Sequence, residues 1–163
     1  MKMLIHDLGE KFNDLLAQRA DAVIHADGKF AHCQGCFKCW TKHPAQCFMK
    51  DRLREVNHAI AVADSMTIIT ENCYGGYSPA VKTVMDRSLG GSTPLITFRG
   101  GQMHHVLRSK PGGVMNVIVY GDITPAEKAT FELLVQRNAL NYGFDKYQVQ
   151  ILNSIEELEG MTV

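Results

Sequence analysis

The chain has 163 residues, of which 45% are hydrophobic and 21% are charged, so it is long enough for one domain with a buried core. The 17 basic and 17 acidic residues balance to a formal net charge of zero, which excludes the strongly basic surface of a nucleic-acid-binding or anionic-membrane protein. The N-terminus has no signal-peptide pattern and no apolar run could span a bilayer, so we expect a cytoplasmic protein.

Short apolar runs predict five β-strands along the chain. They lie at residues 3–8, 21–26, 65–70, 113–121 and 147–152. Helical patterns separate them, except that residues 89–113 are rich in glycine and proline and predict an irregular segment.

The first two predicted helices differ in length. Phe12, Leu15 and Leu16 mark a short helix of perhaps two turns, because the first crossover is close to the minimum for parallel strands. Asp51 can cap a longer helix over residues 52–63, whose apolar residues recur on one face.

Two later helices carry N-cap signals, at Ser78 and at Thr124. The helix after Thr124 is expected to end at Asn141 or Gly143. A short helix or tail is expected at residues 155–158.

Strands that alternate with helices predict an α/β fold with a parallel sheet between two helical layers. Right-handed crossovers allow five strands in the order 2-1-3-4-5, within a single domain over residues 1–163. Ligands of such sheets bind beyond the carboxyl ends of the strands, so the loops after these strands are the candidate site.

Four of the five cysteines lie in one loop, within residues 32–50, with the spacing C-x2-C-x2-C-x7-C. They are Cys33, Cys36, Cys39 and Cys47. In a reducing compartment such a cluster indicates metal binding or redox chemistry rather than disulfides. Three interpretations stay open: a [4Fe–4S] cluster, a tetrahedral zinc site, or unmetallated thiols.

The stretch from Cys33 to Arg87 resembles the flavodoxin-like NADPH-dependent FMN reductases and the related iron–sulfur flavoproteins. The matching segments are CQGCFKCW, KDRL and ADSMTIITENCYGGYSPAVKTVMDR, with Lys82 and Asp86-Arg87 at the positions of a family motif. The resemblance implies a flavodoxin-like three-layer sandwich that binds FMN, accepts hydride from NAD(P)H and forms a homodimer. It also implies a [4Fe–4S] cluster as one possible use of the four cysteines.

The FMN site implied by this resemblance lies in the loops after the third and fourth strands. Gly75 and Gly76 would let the backbone approach the ring and present their N–H groups, while Tyr74 and Tyr77 would stack on or border it. The residues implied are Asn72, Cys73, Tyr74, Gly75, Gly76, Tyr77, Ser78, Tyr120, Gly121 and Asp122.

The loop after the first strand departs from the family pattern. Members have a Gly/Ser-rich loop that cradles the FMN phosphate, whereas this chain has HDLGEKFN, in which Asp7 and Glu10 would repel a dianion. Either other groups hold the phosphate, or the protein keeps the fold without a flavin. The groups available in the glycine-rich segment are Arg99, His104, His105 and Arg108.

Two functions follow from these observations. The first is an NAD(P)H-dependent, FMN reductase-like oxidoreductase that passes electrons to a small-molecule acceptor. The second is a flavin-free module that uses its four-cysteine loop for metal binding or thiol redox sensing.

Overall fold

The computed structural model describes residues 1–109 and 112–160. Its strands are β1 (Lys2–His6), β2 (Ala22–His25), β3 (Ser65–Glu71), β4 (Ser92–Arg99), β5 (Gln102–Leu107), β6 (Val114–Tyr120) and β7 (Lys146–Ile151). Its α-helices are α1 (Asn13–Ala17), α2 (Val56–Ala61), α3 (Pro79–Arg87) and α4 (Pro125–Tyr142). Short 3-10 segments lie at Glu10–Phe12, Ser88–Gly91 and Ile155–Gly160.

The central sheet has five parallel strands in the order β2-β1-β3-β6-β7. This confirms the predicted order 2-1-3-4-5, because the fourth and fifth strands of the sheet are β6 and β7. The first crossover is short, as predicted: α1 has only five residues and follows a single 3-10 turn. The architecture is a flavodoxin-like three-layer sandwich.

Apolar side chains cover both faces of the sheet. Met3, Met66 and Met115 face a large core beneath α2, α3 and α4, which contribute residues such as Val84 and Phe131. A smaller core on the opposite face lies beneath α1 and the C-terminal 3-10 segment. Its buried members are Leu4, Leu8, Phe12, Leu16, Ile69, Ile118, Leu152 and Leu158.

The two longest helices begin where the sequence predicts. Ser78 accepts a hydrogen bond from the Val81 N–H at the start of α3, and Thr124 forms a capping box with Glu127 at the start of α4. No helix in the described part of the chain is long and apolar enough to cross a membrane.

The helix predicted at residues 52–63 is shorter than expected. Only Val56–Ala61 is α-helical, and Asp51 does not cap it. The Asp51 carboxylate instead accepts hydrogen bonds from the Leu53 N–H at 3.0 Å, the Ala31 N–H at 3.2 Å and the Arg87 guanidinium. Because these donors occupy the carboxylate, residues 51–55 form turns that connect the cysteine loop to α2.

The prediction of an irregular segment at residues 89–113 is wrong. Strands β4 and β5 form an antiparallel hairpin in this segment, separate from the central sheet. Gly100 and Gly101 both have positive φ, 54° and 73°, as the central residues of a tight hairpin turn require. A Gly-Gly pair between two runs of β-formers is the signal that could have predicted this hairpin.

Candidate functional site

The loops that follow β3 and β6 are joined at the carboxyl edge of the sheet. The Asn72 N–H donates to the Tyr120 carbonyl at 2.8 Å, and the Asn72 side-chain amide donates to the Asp122 carbonyl at 2.7 Å. Asn72 also accepts, through Oδ1, a hydrogen bond from the Gly75 N–H at 3.0 Å. One side chain therefore holds together the two loops in which the sequence predicts the site.

The turn after Asn72 presents Tyr74 to solvent. Cys73 and Gly76 pair through two backbone hydrogen bonds of 3.0 Å, and Tyr74 and Gly75 between them both have positive φ. The Tyr74 side chain is 90% exposed. The N–H groups of Gly75 and Gly76 are bonded within the loop, so they do not face outward as the sequence suggested.

Tyr77 and Ser78 belong to the packed base of this loop. Tyr77 is buried, its ring packs edge-on against Phe131 at 5.5 Å, and its hydroxyl accepts a hydrogen bond from Asn138 at 3.1 Å. Burial raises the pKa of the Tyr77 phenol. Tyr77 therefore supports the loop from the core, with 6% of the residue exposed.

A large cavity begins at the same loop. It has a volume of about 1050 Å³ and lies between α3, α4, the β4–β5 hairpin and the cysteine loop. Cys73, Gly76 and Tyr77 line its end at the site loop, and Leu107 and Leu134 contribute apolar walls. Its polar lining groups include His32, Lys82, Thr83, His105, Asn138 and Asn141. A cavity of this size and lining suits a ring system of several fused rings.

A second cavity of about 460 Å³, the sheet-edge pocket, opens at the carboxyl ends of β1 and β3. Three carboxylates line it, those of Asp7, Asp27 and Glu71, together with the Tyr120 ring. The Tyr120 hydroxyl donates to Asp7 at 3.0 Å. Burial, together with the charges of Asp7 and Glu71, raises the pKa of the Tyr120 phenol.

The large cavity can be compared with the ring of FMN, and the sheet-edge pocket with its phosphate. The large cavity has the volume and the apolar walls for the isoalloxazine ring. The sheet-edge pocket lies beside the loop after β1, for which the sequence resemblance implies the phosphate site, and three carboxylates line it. The ring of FMN therefore fits the residues present, and its phosphate does not.

The two arginines suggested for the phosphate, Arg99 and Arg108, already donate hydrogen bonds to backbone carbonyls. Arg99 donates to the carbonyls of His105 and Asn141, both at 3.1 Å. Arg108 donates to the carbonyls of Gly90 and Trp40, at 3.0 and 3.2 Å. These hydrogen bonds connect the hairpin to α4 and to the cysteine loop. Neither arginine is among the described residues that line the sheet-edge pocket.

The four loop cysteines lie near one another without forming a ligand set. Cys33 and Cys36 are exposed, and Cys39 and Cys47 are half-buried. Burial, followed by the charge of Cys47, raises the pKa of the Cys39 thiol. Among the described residues, no three His, Cys, Asp or Glu side chains form a group that could hold a metal ion.

A buried arginine that sequence reasoning left without a role contacts this loop. The Arg87 Nε donates to the Cys47 sulfur at 3.1 Å, and Nη1 and Nη2 donate to Asp51. The Arg87 guanidinium lowers the pKa of the Asp51 carboxyl to about 2. No local pattern in the sequence predicts this contact, because 40 residues separate Arg87 from Cys47.

Trp40 fixes the same loop to the hairpin. Its indole N–H donates to the Leu89 carbonyl at 3.0 Å, and its ring packs against Phe37 and His105. Gly90 faces the loop so closely that a Cβ would lie 2.8 Å from the Cys39 Cβ. The aromatic residues between the cysteines thus act in packing.

Comparison with known proteins adds independent information. The sequence profile of the NADPH-dependent FMN reductase family matches residues 8–140. No curated protein sequence matches the chain.

Several solved structures share the fold at low identity. The FMN-dependent NADH-azoreductase from Bacillus anthracis str. Ames Ancestor, in complex with FMN, is 15% identical, with a TM-score of 0.60 over 98% of this chain and 93% of that one. The NAD(P)H:quinone oxidoreductase from Methanothermobacter marburgensis is 13% identical, with a TM-score of 0.55 over 95% and 87%.

A third match is partial. The Flv1 flavodiiron core from Synechocystis sp. PCC6803 is 10% identical with a TM-score of 0.46, and the match covers 96% of this chain but only 31% of that one. The likenesses to the azoreductase and to the quinone oxidoreductase show the fold, and the family profile matches most of the chain. The chain belongs to the NADPH-dependent FMN reductase family.

Proposed function

We propose that the protein is an oxidoreductase that takes electrons from NAD(P)H through a bound flavin and passes them to a small-molecule acceptor. The observation that carries this proposal is the large cavity, which begins at the loop of residues 72–78 and has room for the flavin ring. Membership of the NADPH-dependent FMN reductase family supports the same activity. FMN is the flavin that the family name gives.

A bound flavin would supply the electron transfer itself, and the protein would position and shield its ring. Between Cys73 and Gly76, which line the cavity, the exposed Tyr74 ring offers a flat apolar surface. Asn72 keeps that surface rigid by bonding to both loops. On the cavity wall, the side-chain amides of Asn138 and Asn141 are suited to hydrogen-bond the polar edge of a ring.

Flavin binding tests this proposal directly. Riboflavin and FMN are titrated separately into the protein, and the quenching of flavin fluorescence is followed. Tyr74→Ala should weaken binding about three- to tenfold, the usual contribution of one aromatic contact. Tyr147→Ala is the matched control, because Tyr147 lies on β7 and is also exposed. A folded protein that binds neither flavin would contradict the proposal.

A second variant blocks the cavity at the site loop. Gly76 lines the cavity, and a Cβ at this position would meet only ordinary contacts, 3.5 Å to the Cys73 carbonyl and 3.9 Å to Leu134. We expect Gly76→Glu to fold and to lose flavin binding and NAD(P)H oxidation with a soluble quinone as acceptor. A folded Gly76→Glu variant that retains stoichiometric flavin would refute the assignment of this loop.

We also propose that the protein works as a homodimer in the cytoplasm. The support for a dimer is an apolar surface on one face of the β4–β5 hairpin, where Ile96, Phe98 and its cross-strand neighbour Met103 are 52%, 73% and 67% exposed. A surface of this kind on a two-stranded hairpin is typical of an interaction site. A reducing compartment would keep the loop thiols free.

A second candidate function rests on the cysteine loop alone. Four thiols share this loop, Arg87 Nε donates a hydrogen bond to the Cys47 sulfur, and thiolates are the form that binds metals and attacks disulfides. We propose a [4Fe–4S] cluster, a zinc ion or reversible thiol oxidation here as the alternative to flavin chemistry. Metal analysis and an absorbance spectrum of anaerobically purified protein distinguish the three, and replacement of all four cysteines by serine should abolish whichever is present.

A further inference from the structure

The sheet-edge pocket is anionic because two of its three carboxylates lack cationic partners. Asp27 is neutralised by Arg52, whose Nη2 lies 2.7 Å from both of its oxygens. No lysine or arginine of the described chain forms an ion pair with Asp7 or Glu71. No lysine or arginine is found among the described residues that line the pocket either. A dianion that entered this pocket would therefore meet the like charges of Asp7 and Glu71, with His32 as the one basic side chain among the described lining residues.

Asp7 is built into this position by three hydrogen bonds. One oxygen accepts from the Thr70 hydroxyl at 3.1 Å and from the Glu71 N–H at 3.0 Å. The other oxygen accepts from the Tyr120 hydroxyl at 3.0 Å. These donors lie at the carboxyl ends of β3 and β6, and the Asp7 carboxylate occupies all three of them. An incoming phosphate would have to displace Asp7 to reach them.

The nearby start of α3 offers little compensation. The first turn of a helix normally provides free N–H groups to an anion. Here the Ser78 N–H donates to the Thr70 hydroxyl at 3.0 Å, and the Val81 N–H donates to the Ser78 hydroxyl at 3.3 Å. Pro79 has no N–H. Most of the donors that would otherwise bind an anion are thus bonded within the protein.

We propose that the sheet-edge pocket excludes a terminal phosphate, so that the ligand of the large cavity is an unphosphorylated flavin of the riboflavin type. This inference rests on the proposed function, because it concerns which flavin the same site accepts. It departs from the phosphate recognition implied by the family name. The ring and the uncharged ribityl chain need no cation in this pocket, so its carboxylates do not oppose their binding.

The test compares the dissociation constants of riboflavin and FMN, measured by fluorescence quenching. Wild-type protein should bind riboflavin at least tenfold more tightly than FMN. The ratio should fall as sodium chloride is added, because salt screens the repulsion between the phosphate and the carboxylates. FMN that binds as tightly as riboflavin, or more tightly, would overturn the inference and leave the proposed function intact. Failure of both flavins to bind would overturn the proposed function and the inference with it.

Charge-neutral variants test which residues exclude the phosphate of FMN. Asp7→Asn keeps the shape of the side chain and an oxygen that accepts hydrogen bonds, and Glu71→Gln removes the second charge. Each should tighten FMN binding at least threefold while leaving riboflavin binding within twofold. Asp14→Asn is the matched control on α1, outside the pocket lining, and should change neither constant. An unchanged ratio of riboflavin to FMN affinity in both folded variants would refute the role given to Asp7 and Glu71.

Discussion

Arg87 and Asp51 form a bidentate ion pair in which the arginine side chain is completely buried. Nη1 lies 2.8 Å from Asp51 Oδ2, and Nη2 lies 2.7 Å from Asp51 Oδ1. Arg87 is the last residue of α3, the helix that begins at the candidate site, and Asp51 follows the cysteine loop. Since the Arg87 Nε also donates to Cys47, this pair connects the cysteine loop to the helix of the site.

Removal of the Asp51 charge should destabilise the protein strongly. Asp51→Asn leaves the buried guanidinium without its counter-charge, and we expect a loss of about 3 kcal/mol in the free energy of unfolding. Urea denaturation measures this loss. The control is Asp86→Asn, which breaks the exposed pair with Lys82 on α3 and should cost less than about 0.5 kcal/mol. Equal losses in the two variants would contradict the importance given to the buried pair.

The buried His6 should make the protein less stable below neutral pH. Burial, with a contribution from the stacked His25 ring, lowers the pKa of His6 from 6.5 to about 4. Between pH 6.5 and 4 the unfolded chain binds a proton that the folded chain does not. The contribution of His6 to the free energy of unfolding is therefore complete above pH 6.5 and falls, by on the order of 3 kcal/mol, as the pH decreases toward 4.

The measurement is urea denaturation at a series of pH values. His6→Leu should reduce the slope of stability against pH in this range, and what remains comes from the carboxylates. His58→Leu is the control, because His58 is exposed on α2 and should leave the slope unchanged. A slope that is the same in wild type and in His6→Leu would show that His6 titrates alike in the folded and unfolded chains.

The close approach of Gly90 to the cysteine loop predicts a difference between neighbouring glycines. A Cβ at Gly90 would lie 2.8 Å from both the Cys39 Cβ and the Asn57 Oδ1, so Gly90→Ala should cost about 1–3 kcal/mol in the free energy of unfolding. At Gly91 the nearest atom is the Asn57 carbonyl oxygen at 3.6 Å, so Gly91→Ala should be tolerated. Thermal or urea unfolding of both variants measures the difference.

Thiol reactivity provides a second measurement for the same pair of variants. If Gly90→Ala displaces the loop, the half-buried Cys39 should react faster with a disulfide reagent, whereas Gly91→Ala should react like wild type. A Gly90→Ala variant with wild-type stability and wild-type Cys39 reactivity would show that the contact can relax.

The apolar hairpin surface predicts a change in oligomeric state. Phe98→Lys places a charge in the centre of the exposed apolar surface of the hairpin and should shift the protein from dimer to monomer in light scattering coupled to gel filtration. Leu133→Lys is the control, because Leu133 is 52% exposed on α4 and lies outside the hairpin. A dimer that persists in Phe98→Lys would place the interface elsewhere on the molecule.

Local signals explain why much of the fold could be predicted. The cap at Ser78 and the capping box at Thr124 each involve residues only three positions apart. The sequence therefore predicts where α3 and α4 start. The hairpin at residues 92–107 also has a local signal, the Gly100-Gly101 pair. The high glycine and proline content of the segment predicts irregular structure instead. The local sequence predicts that Asp51 caps a helix. It does not predict that Arg87, 36 residues away, binds the Asp51 carboxylate instead.

For the site loops, the sequence predicts where the loops lie but not how their backbone is hydrogen-bonded. The sequence correctly brings residues 72–78 and 120–122 together at one edge of the sheet, because neighbouring parallel strands end at the same edge. It does not reveal that the N–H groups of Gly75 and Gly76 are consumed within their own turn. Backbone hydrogen bonding in a loop depends on its dihedral angles, and the positive φ of Tyr74 is not apparent from its residue type.

By itself the sequence determined the order of the strands, the position of the site loops and the acidic character of the first loop, because these depend on local patterns and on the rules of chain connection. Only the tertiary structure decided what that acidity does. Thr70 and Tyr120 lie 63 and 113 residues from Asp7 along the chain, and the pairing of the strands brings their hydroxyls to its carboxylate. Contacts over such separations depend on how every strand between them pairs, which no local pattern encodes.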